Sequence, residues 1–160
     1  MMIAPQSETP PVNHQPTRRA TKKLARPRSR AYFGPVPRLP LPGAAALRDG
    51  QTLKFEFTRD GIRREGLVAR FRGQLVAYEN VCRHLPIPLD YGDGRFFDRG
   101  GEHFRCQNHG ALYEPLTGLC VRGPCEGARL KALRLRQAGA EVWVELDDGP
   151  GNGSDRQPNA

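Results

Sequence analysis

Cys82-Arg83-His84 sets a thiol and an imidazole one residue apart, and Cys106-Gln107-Asn108-His109 sets another such pair two residues apart after 21 intervening residues. Thiolate and imidazole together suit iron and zinc far better than calcium or magnesium, which prefer oxygen ligands. Two loops that each supply one Cys and one His can hold a 2Fe-2S centre in which both thiolates bind one iron and both imidazoles bind the other. The same four residues can also enclose one tetrahedral zinc ion. Zinc modules, however, usually place like ligands together along the chain. The mixed order therefore favours iron and sulfide, and a zinc-stabilised interaction module with a basic arm stands as the alternative. His14 and His103 fall outside the spacing and read as surface histidines.

The elements that carry these loops must fit in 160 residues, enough for one ordinary domain with tails. The formal charge of +8 is unevenly placed, because residues 1 to 42 hold eight Lys or Arg against one Glu. Residues 43 to 160 then carry seventeen basic and sixteen acidic side chains, a net of +1, which gives no case for a nucleic-acid surface on the domain. Residues 1 to 42 also contain nine of the fifteen prolines and few large apolar side chains, the composition of a disordered basic tail whose role is open. Residues 148 to 160, rich in Gly, Asn, Asp and Ser, read as a second disordered tail. No apolar run approaches the roughly 20 residues needed for a membrane span. Arg18-Arg19 is followed by further basic residues where an export signal would need an apolar stretch, so a cytoplasmic location is expected.

Between the tails the periodicity is two. Leu53, Phe55 and Phe57 alternate with polar residues up to an Asp60-Gly61 turn. Residues 67–71 and 75–78 flank Arg72-Gly73-Gln74 as a hairpin. Residues 104–106, 112–113 and 119–121 read as short strands, and Leu130, Leu133 and Leu135 face Val142, Val144 and Leu146 across Ala138-Gly139. With no helical face of any length, the class is all-β, a small barrel or sandwich.

These ligands and their flanks resemble the Rieske 2Fe-2S family over about residues 43 to 147, specifically its small ferredoxin-type members. His109-Gly110-Ala111, Tyr113-Glu114 and Thr117-Gly118 match family steps, and Gly123-Pro124 lies where the family has the proline loop that covers the cluster. The resemblance implies an antiparallel three-sheet sandwich with a cluster-binding loop subdomain at one tip, and one 2Fe-2S cluster per chain bound by Cys82, His84, Cys106 and His109. It also implies Leu85, Ala111, Tyr113, Gly123 and Pro124 as the surroundings of that cluster. Respiratory-chain members cross-link the two loops by a disulfide, but Ile87 and Asn108 occupy those positions here; Ala111 replaces a Ser that hydrogen-bonds sulfide in them. Relative to the family the stretch between the loops is longer, with Asp90-Tyr91-Gly92-Asp93-Gly94 as the expected insertion. Tyr113 is placed to donate a hydrogen bond to a cluster-bound cysteine. Cys120 and Cys125 are read as buried reduced thiols, with a redox-active pair as the alternative, and Cys125 is placed near the cluster because it follows the proline loop.

The function implied is one-electron transfer between protein partners: a reductase as donor, and an oxygenase or reductase as acceptor. Mixed Cys/His ligation places such centres at roughly -150 to +300 mV, against about -400 mV for plant-type ferredoxins. A complete ring-hydroxylating oxygenase would need a second domain holding mononuclear iron, for which the 160 residues leave no room.

Overall fold

The computed structural model describes residues 36–146, and within them the chain is nearly all strand. The strands are β1 (Arg38–Pro40), β2 (Thr52–Arg59), β3 (Ile62–Phe71), β4 (Gln74–Glu79), β5 (Phe104–Arg105), β6 (Leu112–Tyr113), β7 (Cys120–Arg122), β8 (Arg134–Ala138) and β9 (Glu141–Glu145). They form three antiparallel sheets, ordered β1-β9-β8, β2-β3-β4 and β5-β6-β7. This is the expected three-sheet class. One 3-10 turn, Ala44–Ala46, joins β1 to β2.

The central meander arises from two tight turns. Asp60-Gly61 and Arg72-Gly73 take positive φ at both positions, 53° and 72° in the first and 49° and 78° in the second. A two-residue turn of this kind follows the right-handed twist of its strands and leaves the register no freedom. Leu53 then pairs with Val68, and Val68 with Ala77.

β3 has neighbours on both edges and is covered on both faces, so Gly66, Leu67, Val68 and Ala69 are all buried in succession. Because side chains alternate across a strand, it feeds two cores. Leu67 and Ala69 join Tyr78, Phe96, Phe104, Tyr113 and both Cys82 and Cys106. Val68 points the other way and joins Phe57, Ala77, Val142 and Val144. The sheet β5-β6-β7 with its loops thus sits on one face of the meander and β1-β9-β8 on the other. The hydroxyl of Tyr78, on β4, donates to Pro115 O at 2.9 Å and ties the meander to the β6–β7 turn.

One boundary differs from the sequence expectation. Composition puts residues 36 to 42 in the basic tail, but Arg38–Pro40 pairs with β9 as the outer strand of its sheet, and Leu41 is 3% exposed in the second core. Leu41 N–H donates to Val142 O at 2.8 Å and Leu146 N–H to Pro37 O at 2.9 Å, extending the ladder at both ends. Proline discourages a central strand but is tolerated on an outer one, so the proline count misplaced the boundary. The remaining tail residues 1–35, and the C-terminal tail from 148, lie outside the described residues.

A chain beginning at residue 41 lacks β1, whereas one beginning at residue 36 keeps it. The shorter chain is expected to melt lower, by about 4–8 °C for each kcal/mol lost in a domain near this size. Thermal scans of the two truncations, each with its cofactor loaded, measure the difference.

Candidate metal centre

Both metal-spacing motifs lie on compact loops closed by their own backbones. Cys82 follows β4 closely, and its N–H donates to Ile87 O at 2.8 Å while Ile87 N–H donates to Leu85 O at 2.7 Å. Cys106 follows β5, with Cys106 N–H donating to Ala111 O and Gly110 N–H to Cys106 O, both at 2.9 Å. The loops carry their thiols inward, leaving Cys82 at 3% and Cys106 at 0% exposure. They carry His84 and His109 outward, with ring centroids 5.0 Å apart and planes at 89°. The structure sets thiol beside thiol and imidazole beside imidazole.

Each sulfur is cradled by backbone donors. The N–H groups of His84 and Leu85 point at Cys82, and those of Asn108 and His109 point at Cys106. Burial pushes the Cys82 thiol up, but the Tyr113 hydroxyl, the His84 N–H and Cys106 outweigh it and hold Cys82 below its ordinary value. Cys106 goes the other way, raised by burial and by Cys82 beside it. Two thiols this close resist ionising together unless a cation lies against both. A paired donor set with thiolate-stabilising N–H groups fits a two-iron cluster better than one tetrahedral zinc.

The Tyr113 hydroxyl is 3.2 Å from Cys82 Sγ and accepts the Arg83 N–H at 3.1 Å. Burial, followed by the adjacent Cys125 and Cys82 thiols, pushes the Tyr113 hydroxyl far up, so it stays protonated and able to donate. Ala111 is fully buried. Exposed Gly123 lies against it, followed by exposed Pro124; a Cβ on Gly123, at φ 118°, would come within 2.8 Å of Ala111 Cα, so only glycine lets the loop approach this closely. Leu85 is 43% exposed beside His84. The Cys125 thiol lies 3.1 Å from the Tyr113 hydroxyl. His103 sits elsewhere, its Nδ1 3.6 Å from the Asp98 carboxylate.

What joins the loops in place of a disulfide was missed in the sequence. Gln107 N–H donates to Leu89 O at 2.8 Å, the Asn108 side chain donates to Pro88 O at 3.4 Å, and the Tyr91 hydroxyl donates to Gln107 O at 2.8 Å. The Gln107 amide donates to Asp93 Oδ1 and Arg95 O. The insertion 90–94 is organised by Asp90, 3% exposed, which accepts Asn80 Nδ2 at 2.7 Å, the N–H groups of Gly92 and Gly94 at 3.1 and 3.0 Å, and Lys54 at 3.4 Å. Asn80 in turn accepts the Leu89 N–H at 2.9 Å and donates to Glu65 at 3.0 Å. An Asp-x-Gly run was the available signal, since an Asp carboxylate commonly accepts from the backbone two residues on.

A loop pair that presents two buried thiols and two exposed imidazoles, on three antiparallel sheets, defines an iron–sulfur domain. The chain belongs to the Rieske [2Fe-2S] domain family, whose profile matches residues 42–137, and it carries that family's 2Fe-2S cluster. It is 31% identical over 86 residues to the oxidoreductase NdmD of Pseudomonas putida, a stretch that is 49% of this chain and 14% of that protein. Among solved structures it resembles the ferredoxin of carbazole 1,9a-dioxygenase from Nocardioides aromaticivorans IC177, at 24% identity and TM-score 0.50, over 68% of this chain and 99% of that one. It also resembles the reduced complex between oxygenase and ferredoxin in carbazole 1,9a-dioxygenase, at 20% identity and TM-score 0.56, over 71% of this chain and 29% of that one. The chain thus spans about a seventh of the curated relative.

Burial pushes the Asp90 carboxyl up, yet the Asn80 amide, the Gly94 N–H and Lys54 together hold it below its ordinary value of 3.8. A depressed folded value means that ionised Asp90 contributes its full stability above pH 3.8 and loses it as pH falls through the lower folded value. Asp90→Asn is therefore expected to lower stability at pH 7 by about 1–3 kcal/mol, the cost of leaving buried donors unmatched. The gap should narrow below pH 3.8. Urea titrations of both proteins at pH 7 and across the acid range measure it.

Proposed function

We propose that Cys82, His84, Cys106 and His109 hold the 2Fe-2S cluster and that the protein passes single electrons as the ferredoxin component of an oxygenase or reductase system in the cytoplasm. The observation that carries this reading is the pairing of two buried thiols with two exposed imidazoles at one tip of the fold. The match over nearly the whole length of a dioxygenase ferredoxin supports the ferredoxin role. No helix among the described residues is long and apolar enough to cross a membrane.

When bound, the cluster supplies a site that gains and loses one electron near the protein surface. The chain's own residues do the rest. Cys82 and Cys106 bring negative charge into a core where Leu67, Phe104 and Tyr113 exclude water. Backbone N–H groups and the Tyr113 hydroxyl stabilise that charge and bias the site toward the reduced, more negative state. His84 and His109 face outward, where a partner protein can approach closely. Exposed Leu85 gives an apolar contact there, and exposed Arg83, between Cys82 and His84, favours an acidic partner.

Purified protein is expected to contain two irons and two acid-labile sulfides per chain, and to show on reduction the low average g value of mixed Cys/His ligation. Cys82→Ser or Cys106→Ser should abolish both. Stoichiometric zinc in a colourless protein expressed anaerobically with ample iron would instead establish the zinc module. Tyr113→Phe removes one hydrogen bond to Cys82, worth about 1 kcal/mol, and should lower the one-electron potential by about 40 mV. Protein-film voltammetry at neutral pH reads that shift, and an unchanged potential would remove the hydroxyl from the account.

A further inference from the structure

Two cysteines remain outside the ligand set, and the fold places them against each other. Cys120 Sγ, at the start of β7, lies 3.5 Å from Cys125 Sγ across the loop that follows. The backbone pins both ends of that loop. Cys120 N–H donates to Ala128 O at 2.7 Å, Gly127 N–H to Cys120 O at 2.9 Å, and Ala128 N–H to Cys125 O at 3.0 Å. A disulfide needs the sulfurs about 2.05 Å apart, a closure of about 1.5 Å that rotation of the half-buried Cys125 side chain can provide. Cys120 is 1% exposed, whereas Cys125 is only half buried and its neighbours Pro124, Glu126 and Gly127 are exposed. One thiol can therefore meet a solute while the other waits behind it.

We propose that Cys120 and Cys125 form a reversible disulfide on exposure to a hydroperoxide, and that its closure withdraws the Cys125 thiol from Tyr113. The Cys125 sulfur attacks one peroxide oxygen; the O–O bond breaks, an alcohol or water leaves with the thiol proton, and Cys125 becomes a sulfenic acid. Cys120 Sγ then attacks the Cys125 sulfur; the S–S bond forms, the S–O bond breaks, and water leaves with the Cys120 proton. Two thiols have given two electrons to the peroxide, and a dithiol reductant returns them.

The consequence reaches the metal site through one hydroxyl. In the reduced pair, the Cys125 S–H can donate to the Tyr113 oxygen, 3.1 Å away, while the Tyr113 O–H donates to Cys82. A donor into the hydroxyl oxygen polarises its O–H and strengthens the bond beyond it. The disulfide has no hydrogen to give. This second half rests on the assignment of Cys82 as a cluster ligand; the disulfide itself does not.

The test uses holoprotein treated with one equivalent of hydrogen peroxide, quenched with N-ethylmaleimide and digested with trypsin. Cleavage after Arg105, Arg122 and Arg129 leaves the two cysteines on separate fragments, 106–122 and 123–129. The fragments are expected to run joined through Cys120, to separate with dithiothreitol, and to stay separate in Cys125→Ser, a substitution on a loop flanked by exposed residues. Separate fragments with both thiols alkylated, a sulfinic acid on Cys125 beside a free Cys120, or a bond through Cys106 would overturn the disulfide. With the cluster's visible spectrum intact, oxidation should also make the midpoint potential more negative in the wild-type protein and leave it unmoved in Cys125→Ser. A disulfide with no change in potential would overturn the link to Tyr113. Joined fragments, together with a Cys82→Ser protein that still assembles its cluster, would support the disulfide while refuting the ligand assignment.

Discussion

Two thiols buried side by side repel each other as soon as both ionise, and the rest of the structure exists around the need to hold Cys82 and Cys106 together in spite of that. Each sulfur receives N–H groups from the two residues that complete its own loop, so the charge is met by the segments that carry it. The loops must hold that conformation without help from a helix dipole or a cross-link. Their closing hydrogen bonds, Cys82 to Ile87 and Cys106 to Ala111, fix where the imidazoles emerge, and hence the 5.0 Å approach of His84 to His109.

The two ligand loops are joined through a polar junction. Asn80 reaches from the end of the meander to Leu89 and Asp90, and Asp90 folds the insertion that delivers Tyr91 to the second loop. Such a junction is strong only when every donor and acceptor is matched. Asp90 meets that condition, with both carboxylate oxygens engaged. The cost is sensitivity to acid, which a disulfide would not show.

The two Cys/His pairs, the alternating strands and the turns at Asp60-Gly61 and Arg72-Gly73 were legible because local chemistry determines each of them. The start of the domain was not, since proline content describes the backbone's restrictions while pairing with β9 depends on residues a hundred positions away. Asp90 escaped notice for a related reason: a carboxylate inside a Gly-rich stretch looks like solvent-facing loop until Asn80 and Lys54 are known to be its neighbours. The near approach of Cys120 to Cys125 could be raised only as an alternative, because five residues of separation can end in any geometry until the ladder from Cys120 to Ala128 closes.

β3 divides its side chains between two cores, and that division sets a manufacturing tolerance for the metal site. A slip of one residue in either hairpin would trade Leu67 and Ala69 for Val68, presenting to each core the face meant for the other. The ligand loops would then close over a floor of the wrong shape. The two tight turns lie on the meander rather than on the ligand loops, yet they act as the site's jig: the register they set decides which face of β3 the ligand loops close over.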